Sequence, residues 1–179
     1  MSEREIREYS AAKGFHPQTL ERWISWQPDD AGALARLAIA LKISENHLRD
    51  LMDWLEEISL RDRQSIHAIL ASKSVDDFAT DPRLGRADRL KRIKEQLRRL
   101  RFPRLAETED AIRDKIQDLK LHPEILVTVP PGLEGGQLHV EFAAASHAEL
   151  KHLATKLTEA TDKGSMPEIF DLLGGQKNK

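Results

Sequence analysis

The chain has 179 residues, 40% of them hydrophobic and 32% charged, with a formal net charge of −2. That length buries one good core or two small ones, and the composition is that of a helix-rich globular protein. Without cysteine the sequence excludes a disulfide framework, a thiolate metal site and a cysteine nucleophile.

The first eighty residues read as short helices. Glu3 to Lys13 suits a helix that Gly14 breaks, and Pro17 stands where a first helical position accepts it, opening a helix to about Trp26. Gln27 to Asp30 reads as a linker, with Asp29 or Asp30 capping a third helix over Ala31 to Leu41. Ser44 is the expected cap of a fourth, Glu45 to about Ile58, whose Leu48, Leu51, Met52 and Leu55 share one face. A further helix is expected over Arg61 to Ser72, followed by a broken stretch from Asp76 to Gly85 containing Pro82. Ala87 to Arg101 is helical, with Leu90, Ile93, Leu97 and Leu100 on a narrow stripe, until Phe102 and Pro103 interrupt it.

A different texture follows. Leu105 to about Leu119 suits a helix, and the β-branched run Ile125 to Val129 a strand. Pro130 to Gly136 forms a turn. Leu138, Val140 and Phe142 then alternate with polar residues at the period of a half-buried strand. Ser146 and Glu149 have the spacing of a capping box for a helix with Leu150, Leu153, Ala154 and Leu157 inward. Met166 to Leu173 suits a last helix before a frayed tail. The predicted fold is therefore mainly α with a small α+β module. A helical region with helix-turn-helix-like units spans 1–80, a basic linker and helix 81–104, and an α-β-β-α module 105–179.

Charge is distributed unevenly along this order. Ten basic residues fall within 81–104 against three acidic ones, a net +7 between two acidic flanks. Such a band meets a polyanion, or else pairs with the acidic faces beside it. Arginine dominates, which suits bidentate phosphate contact; the expected contacts are Arg86, Arg89, Arg92, Arg98, Arg99 and Arg101.

Two stretches have the layout of a helix-turn-helix, with a small residue, a tight turn and apolar locks. In Leu34 to Leu55 these are Ala38, Lys42 to Ser44, and Leu48 with Leu51; Lys42 occupies the place usual for glycine. Ser44, Asn46 and Arg49 are its candidate DNA contacts, with Glu45 and Asp50 as unfavourable neighbours for phosphate. In Ile6 to Trp26 they are Ser10, Gly14, and Leu20 with Trp23, leaving His16, Gln18, Thr19 and Arg22 as exposed candidates. The run AAKGFHPQTLERW from Ala11 to Trp23 resembles the start of MerR-like winged helices. Helical hairpins of this length are also common packing units, so both readings stay open.

In the last third, Leu105 to Ile112, Ile125 to Val129, Glu134 to Phe142, and Ser146 to Leu150 with Leu153 and Leu157 together resemble the C-terminal dimerisation domain of ParB-type DNA-partition proteins. That resemblance implies an α-β-β-α homodimer behind a DNA-binding helical region. The nucleotide-binding domain of that family and its arginine-rich phosphate motif have no counterpart, so no nucleotide switch is implied. Physics points to a dimer independently, because a lone two-stranded hairpin is marginal and leaves open edges. Leu138, Val140, Phe142, Leu150, Leu153 and Leu157 are the expected interface.

Nothing argues for catalysis, a cofactor or a metal. The seven histidines form no i, i+4 pair, and no HExxH, Walker loop or GxSxG is present. The amino-terminal stretch has no apolar signal core, and no run approaches the ~20 apolar residues of a membrane span. The expectation is a cytoplasmic, non-enzymatic protein that binds DNA as a homodimer in partition, nucleoid organisation or transcription control. The alternative is an adaptor whose basic helix docks an acidic protein partner.

Overall fold

The computed structural model describes residues 2–174. The chain is mainly helical with one small sheet, and its contacts divide it between Phe102 and Pro103. The predicted tail over 175–179 lies outside the described residues.

The first unit holds α1 (Glu3–Lys13), α2 (Pro17–Ile24), α3 (Pro28–Leu41), α4 (Glu45–Asp62), α5 (Ile66–Leu70), α6 (Lys73–Thr80) and α7 (Arg86–Arg101). A capping box between Ser2 and Glu5 opens α1, and Gly14 closes it at φ 68°. Pro17 and Pro28 each occupy the start of a helix, where a missing N–H costs nothing. Asp29 and Asp30 are thus inside the first turn of α3 and do not cap it. Asp30 instead accepts a hydrogen bond from the backbone N–H of His67 at 2.7 Å. Ser44 precedes α4 but makes no side-chain cap bond.

The predicted helix over Arg61 to Ser72 is not one element. α4 runs on to Asp62 and stops where Arg63 turns left-handed at φ 54°. Ser65 then caps α5, its hydroxyl accepting from the N–H of Ala68. α6 occupies part of the stretch read as broken, because Pro82 lies beyond its end. The core gathers Trp23, Leu34, Ala38, Leu48, Leu51, Met52 and Leu55 with Ile93 and Leu97 of α7. The basic helix is accordingly an integral wall of this unit and not a separate linker.

The second unit holds α8 (Pro103–Asp118), β1 (Leu126–Thr128), a 3-10 turn (Pro131–Gly136), β2 (His139–Glu141), α9 (His147–Thr161) and α10 (Ser165–Gly174). The strands pair antiparallel with Val127 opposite Val140. The core is Ile112, Leu119, Ile125 and Val127 with Leu153, Met166, Ile169 and Leu173. Ser146 caps α9 through the N–H of Glu149, but the Glu149 carboxylate accepts from Ala145, one residue outside a true capping box. Leu150 and Ala154, expected inward, are exposed, because only one edge of α9 meets the core.

Candidate nucleic-acid interface

The two helix-turn-helix-like pairs, α1–α2 and α3–α4, are locked together at their turns. The Tyr9 hydroxyl of α1 lies 2.9 Å from the carbonyl oxygens of both Ala38 and Ile43, which flank the α3–α4 turn. Its ring meets Phe15 and Trp23 edge-on, and burial raises its phenol above the ordinary value. Lys42 supplies the left-handed residue of that turn at φ 54°, a conformation that glycine adopts without steric cost. The small residues Ser10 and Ala38 are both buried where their helices approach their neighbours.

This lock brings the amino ends of α2 and α4 to one cleft of about 530 Å³, lined by His16, Gln18, Thr19, Arg22, Glu45, Asn46 and Arg49. Residues predicted separately for two motifs thereby share one surface. Two of them are not free. Thr19, expected on the surface, is only 7% exposed and donates its hydroxyl to Glu45 at 2.5 Å. Glu45 also accepts from the backbone N–H of His16 at 3.0 Å, and these two bonds hold its carboxyl below the usual carboxylate range. Arg22 spans Asp53 at 2.7 Å and Glu56 at 2.6 Å, and the Glu56 bond raises its guanidinium further above its ordinary value. Glu56 is held in turn by the Trp26 indole N–H at 2.8 Å. His16, Gln18, Ser44, Asn46 and Arg49 are exposed.

The cations of α7 do not form one continuous face. Helical spacing puts Lys91, Lys94 and Arg98 on one side and Arg92 with Arg99 on another. Lys94 bonds Asp50 at 2.8 Å, and Arg101 bonds Glu57 at 2.7 Å, so two of the band's charges neutralise acids of α4. Arg89 donates to the carbonyl of Leu84, Arg92 covers the Phe78 ring at 6.0 Å, and Arg98 pairs with Glu95 at 2.9 Å. Arg99 is half-buried. Arg86 and Lys91 are exposed and have no ion-pair partner among the described residues. Sequence reasoning overestimated the free charge of this band because acids 40 or more residues away fold against it.

In the second unit Val140 is 39% and Leu150 47% exposed, with Leu138, Phe142 and Leu157 half-buried against their own core. Leu153 is only 4% exposed and belongs to that core, so it is not surface for another chain. Among the described residues no helix is long and apolar enough to cross a membrane. No group of three or more histidine, aspartate or glutamate residues among them is arranged to hold a metal ion.

No family model, no curated protein and no solved structure matches the chain.

Proposed function

We propose that this protein is a non-catalytic DNA-binding protein that acts as a homodimer in DNA partition, nucleoid organisation or transcription control, as its resemblance to ParB-type proteins implies. The observation that carries the reading is the shared cleft at the amino ends of α2 and α4, where His16, Gln18, Asn46 and Arg49 stand exposed together. Helix amino ends with amide, imidazole and guanidinium groups are suited to phosphates and base edges. Of the two acids that weigh against this surface, Asp50 is neutralised by Lys94, whereas Glu45, held by the neutral donors of Thr19 and His16, keeps its charge. Arg86 and Lys91 supply the backbone attraction in this reading. A cytoplasmic location goes with it, which a cysteine-free sequence permits.

The second unit supports self-association. β2 has one neighbour, β1, and is otherwise an edge strand. Antiparallel pairing of two β2 strands about a two-fold axis at Val140 sets Leu138 opposite Phe142 on the core face. The same register sets His139 opposite Glu141 on the outer face, twice by symmetry. The edge is therefore self-complementary in shape class and in its imidazole–carboxylate pairing.

One observation favours the adaptor reading instead: Lys94 and Arg101 of the basic helix are spent on Asp50 and Glu57 within the unit. Affinity for a generic duplex at about 50 and about 200 mM salt separates the two. A DNA-binding protein loses affinity with a log–log slope of about −0.9 per phosphate contact. Absence of binding at both salts overturns the DNA reading.

A further inference from the structure

The face of α7 turned toward α4 borders a groove of about 620 Å³ that shares only Lys91 with the proposed DNA surface. Its floor is apolar: Trp54 of α4, with Ala87 and Leu90 of α7. Its rim is cationic: Lys91, Lys94 and Arg98, with His47 across from them. The Lys94 ammonium sits 5.2 Å from the Trp54 ring and 2.8 Å from Asp50, so it is fixed at the edge of the floor. Glu95, the acid that lines the groove, is bonded to Arg98. From Ala87 to Arg98 the lining follows helical spacing over eleven residues, about 16 Å or three turns at the rise of an α-helix.

We propose that this groove docks an acidic amphipathic helix of a partner protein. An apolar floor of Trp54, Ala87 and Leu90 between two helices, at one end of a lining three turns long, matches part of the apolar stripe of such a helix. On the rim Lys91 is available to its aspartates and glutamates, while Lys94 and Arg98 already share Asp50 and Glu95. Trp54 is the aromatic anchor, half-buried at the centre of the contact. A phosphate backbone has no apolar groups to place on Trp54, Ala87 and Leu90, whereas an amphipathic helix covers the floor and satisfies the rim together. The proposal does not depend on the DNA reading, and it gives the adaptor reading a location.

The test uses the full chain and a labelled three-turn peptide with leucines at i, i+3, i+4 and i+7 and glutamates elsewhere. The control is a scrambled peptide of identical composition. Ala87→Glu is the blocking variant; Ala87 is exposed in the first turn of α7, where an acid suits the helix, and circular dichroism checks that the fold is kept. The amphipathic peptide is expected to bind in a salt-sensitive way, the scrambled peptide about tenfold more weakly, and Ala87→Glu to lose about tenfold, as befits a charge placed in the apolar floor. Duplex affinity is expected to fall by much less than peptide affinity, by about the share of one phosphate contact, because the new carboxylate stands beside Arg86 and one turn before Lys91. Equal binding of both peptides, no binding of either, or unchanged binding by Ala87→Glu overturns the proposal. So does an equal loss of duplex and peptide binding in Ala87→Glu, with the duplex displacing the peptide, which would make the groove a nucleic-acid surface.

Discussion

The hydroxyl of Thr19 donates to the carboxylate of Glu45 at 2.5 Å, tying the first turn of α2 to the first turn of α4. The same carboxylate takes the N–H of His16, so one acid organises the amino ends of two helices. The surface proposed to meet DNA is set by this contact between residues 26 apart in sequence.

This tie predicts an acid-sensitive element of stability. The Glu45 carboxyl is held below its ordinary value by its bonds to Thr19 and His16. A depressed carboxylate stabilises the fold above its unfolded-state value and stops doing so as pH falls through the lowered one. Urea midpoints measured from neutral pH down through about pH 3 should fall less steeply in Glu45→Gln than in the wild type. Parallel profiles would show that Glu45 contributes nothing to the acid response.

Arg61 donates to the carbonyls of Leu100 at 2.6 Å and Arg101 at 2.7 Å, capping the last turn of α7 from α4. Cations at helix carboxyl ends are worth about 0.3–1 kcal/mol when exposed. Arg61→Ala should destabilise the first unit by about that amount, read as a shift of the chemical denaturation midpoint at unchanged slope.

Lys42 is a non-glycine residue at φ 54°. Glycine removes the left-handed penalty of about 1–2 kcal/mol but loses more backbone entropy, so Lys42→Gly should stabilise by about 0.5–1 kcal/mol net. A loss of stability would mean that the Lys42 side chain contributes more than the strain costs.

The pairing pattern sorts the cations of α7 by expected phenotype. Replacing both Arg86 and Lys91 with Ala should flatten the salt dependence of duplex binding by about one unit per lost phosphate contact. Lys94→Ala and Arg101→Ala should leave that slope alone and lower stability, because their partners Asp50 and Glu57 are left uncompensated. The reverse assignment would place the band's paired face on DNA.

For self-association, Val140→Lys and Glu141→His should each shift light-scattering mass toward the monomer. The double exchange His139→Glu with Glu141→His should restore the dimer, since a two-fold register centred on Val140 keeps both imidazole–carboxylate pairs. A double variant no better than Glu141→His would reject that register.

Much of this was legible in the chain itself. Gly14, Pro17 and Ser146 each act through local backbone chemistry, so an end of α1 and the starts of α2 and α9 could be read without knowing any neighbour, whereas Pro28 opens α3 where a linker was expected. The period-three-to-four stripe of Leu48, Leu51, Met52 and Leu55 likewise announced the buried face of α4. Local reading failed where chain direction changed without glycine or proline. Arg63 turns left-handed on its own, and no composition signal separates α4 from α5 there.

What the sequence alone determined was the mainly helical class, the small sheet and the position of the charge. Those depend on propensity, periodicity and counting, which are properties of neighbouring residues. Tertiary structure decided which charges are available and which motif residues meet. Thr19 and Arg22 looked like surface contacts and are bound to Glu45, Asp53 and Glu56; Lys94 and Arg101 looked free and are held by Asp50 and Glu57. Each of these partnerships joins residues 26 to 44 positions apart, and an ion pair at that separation exists only once packing of the intervening helices has brought its two ends together.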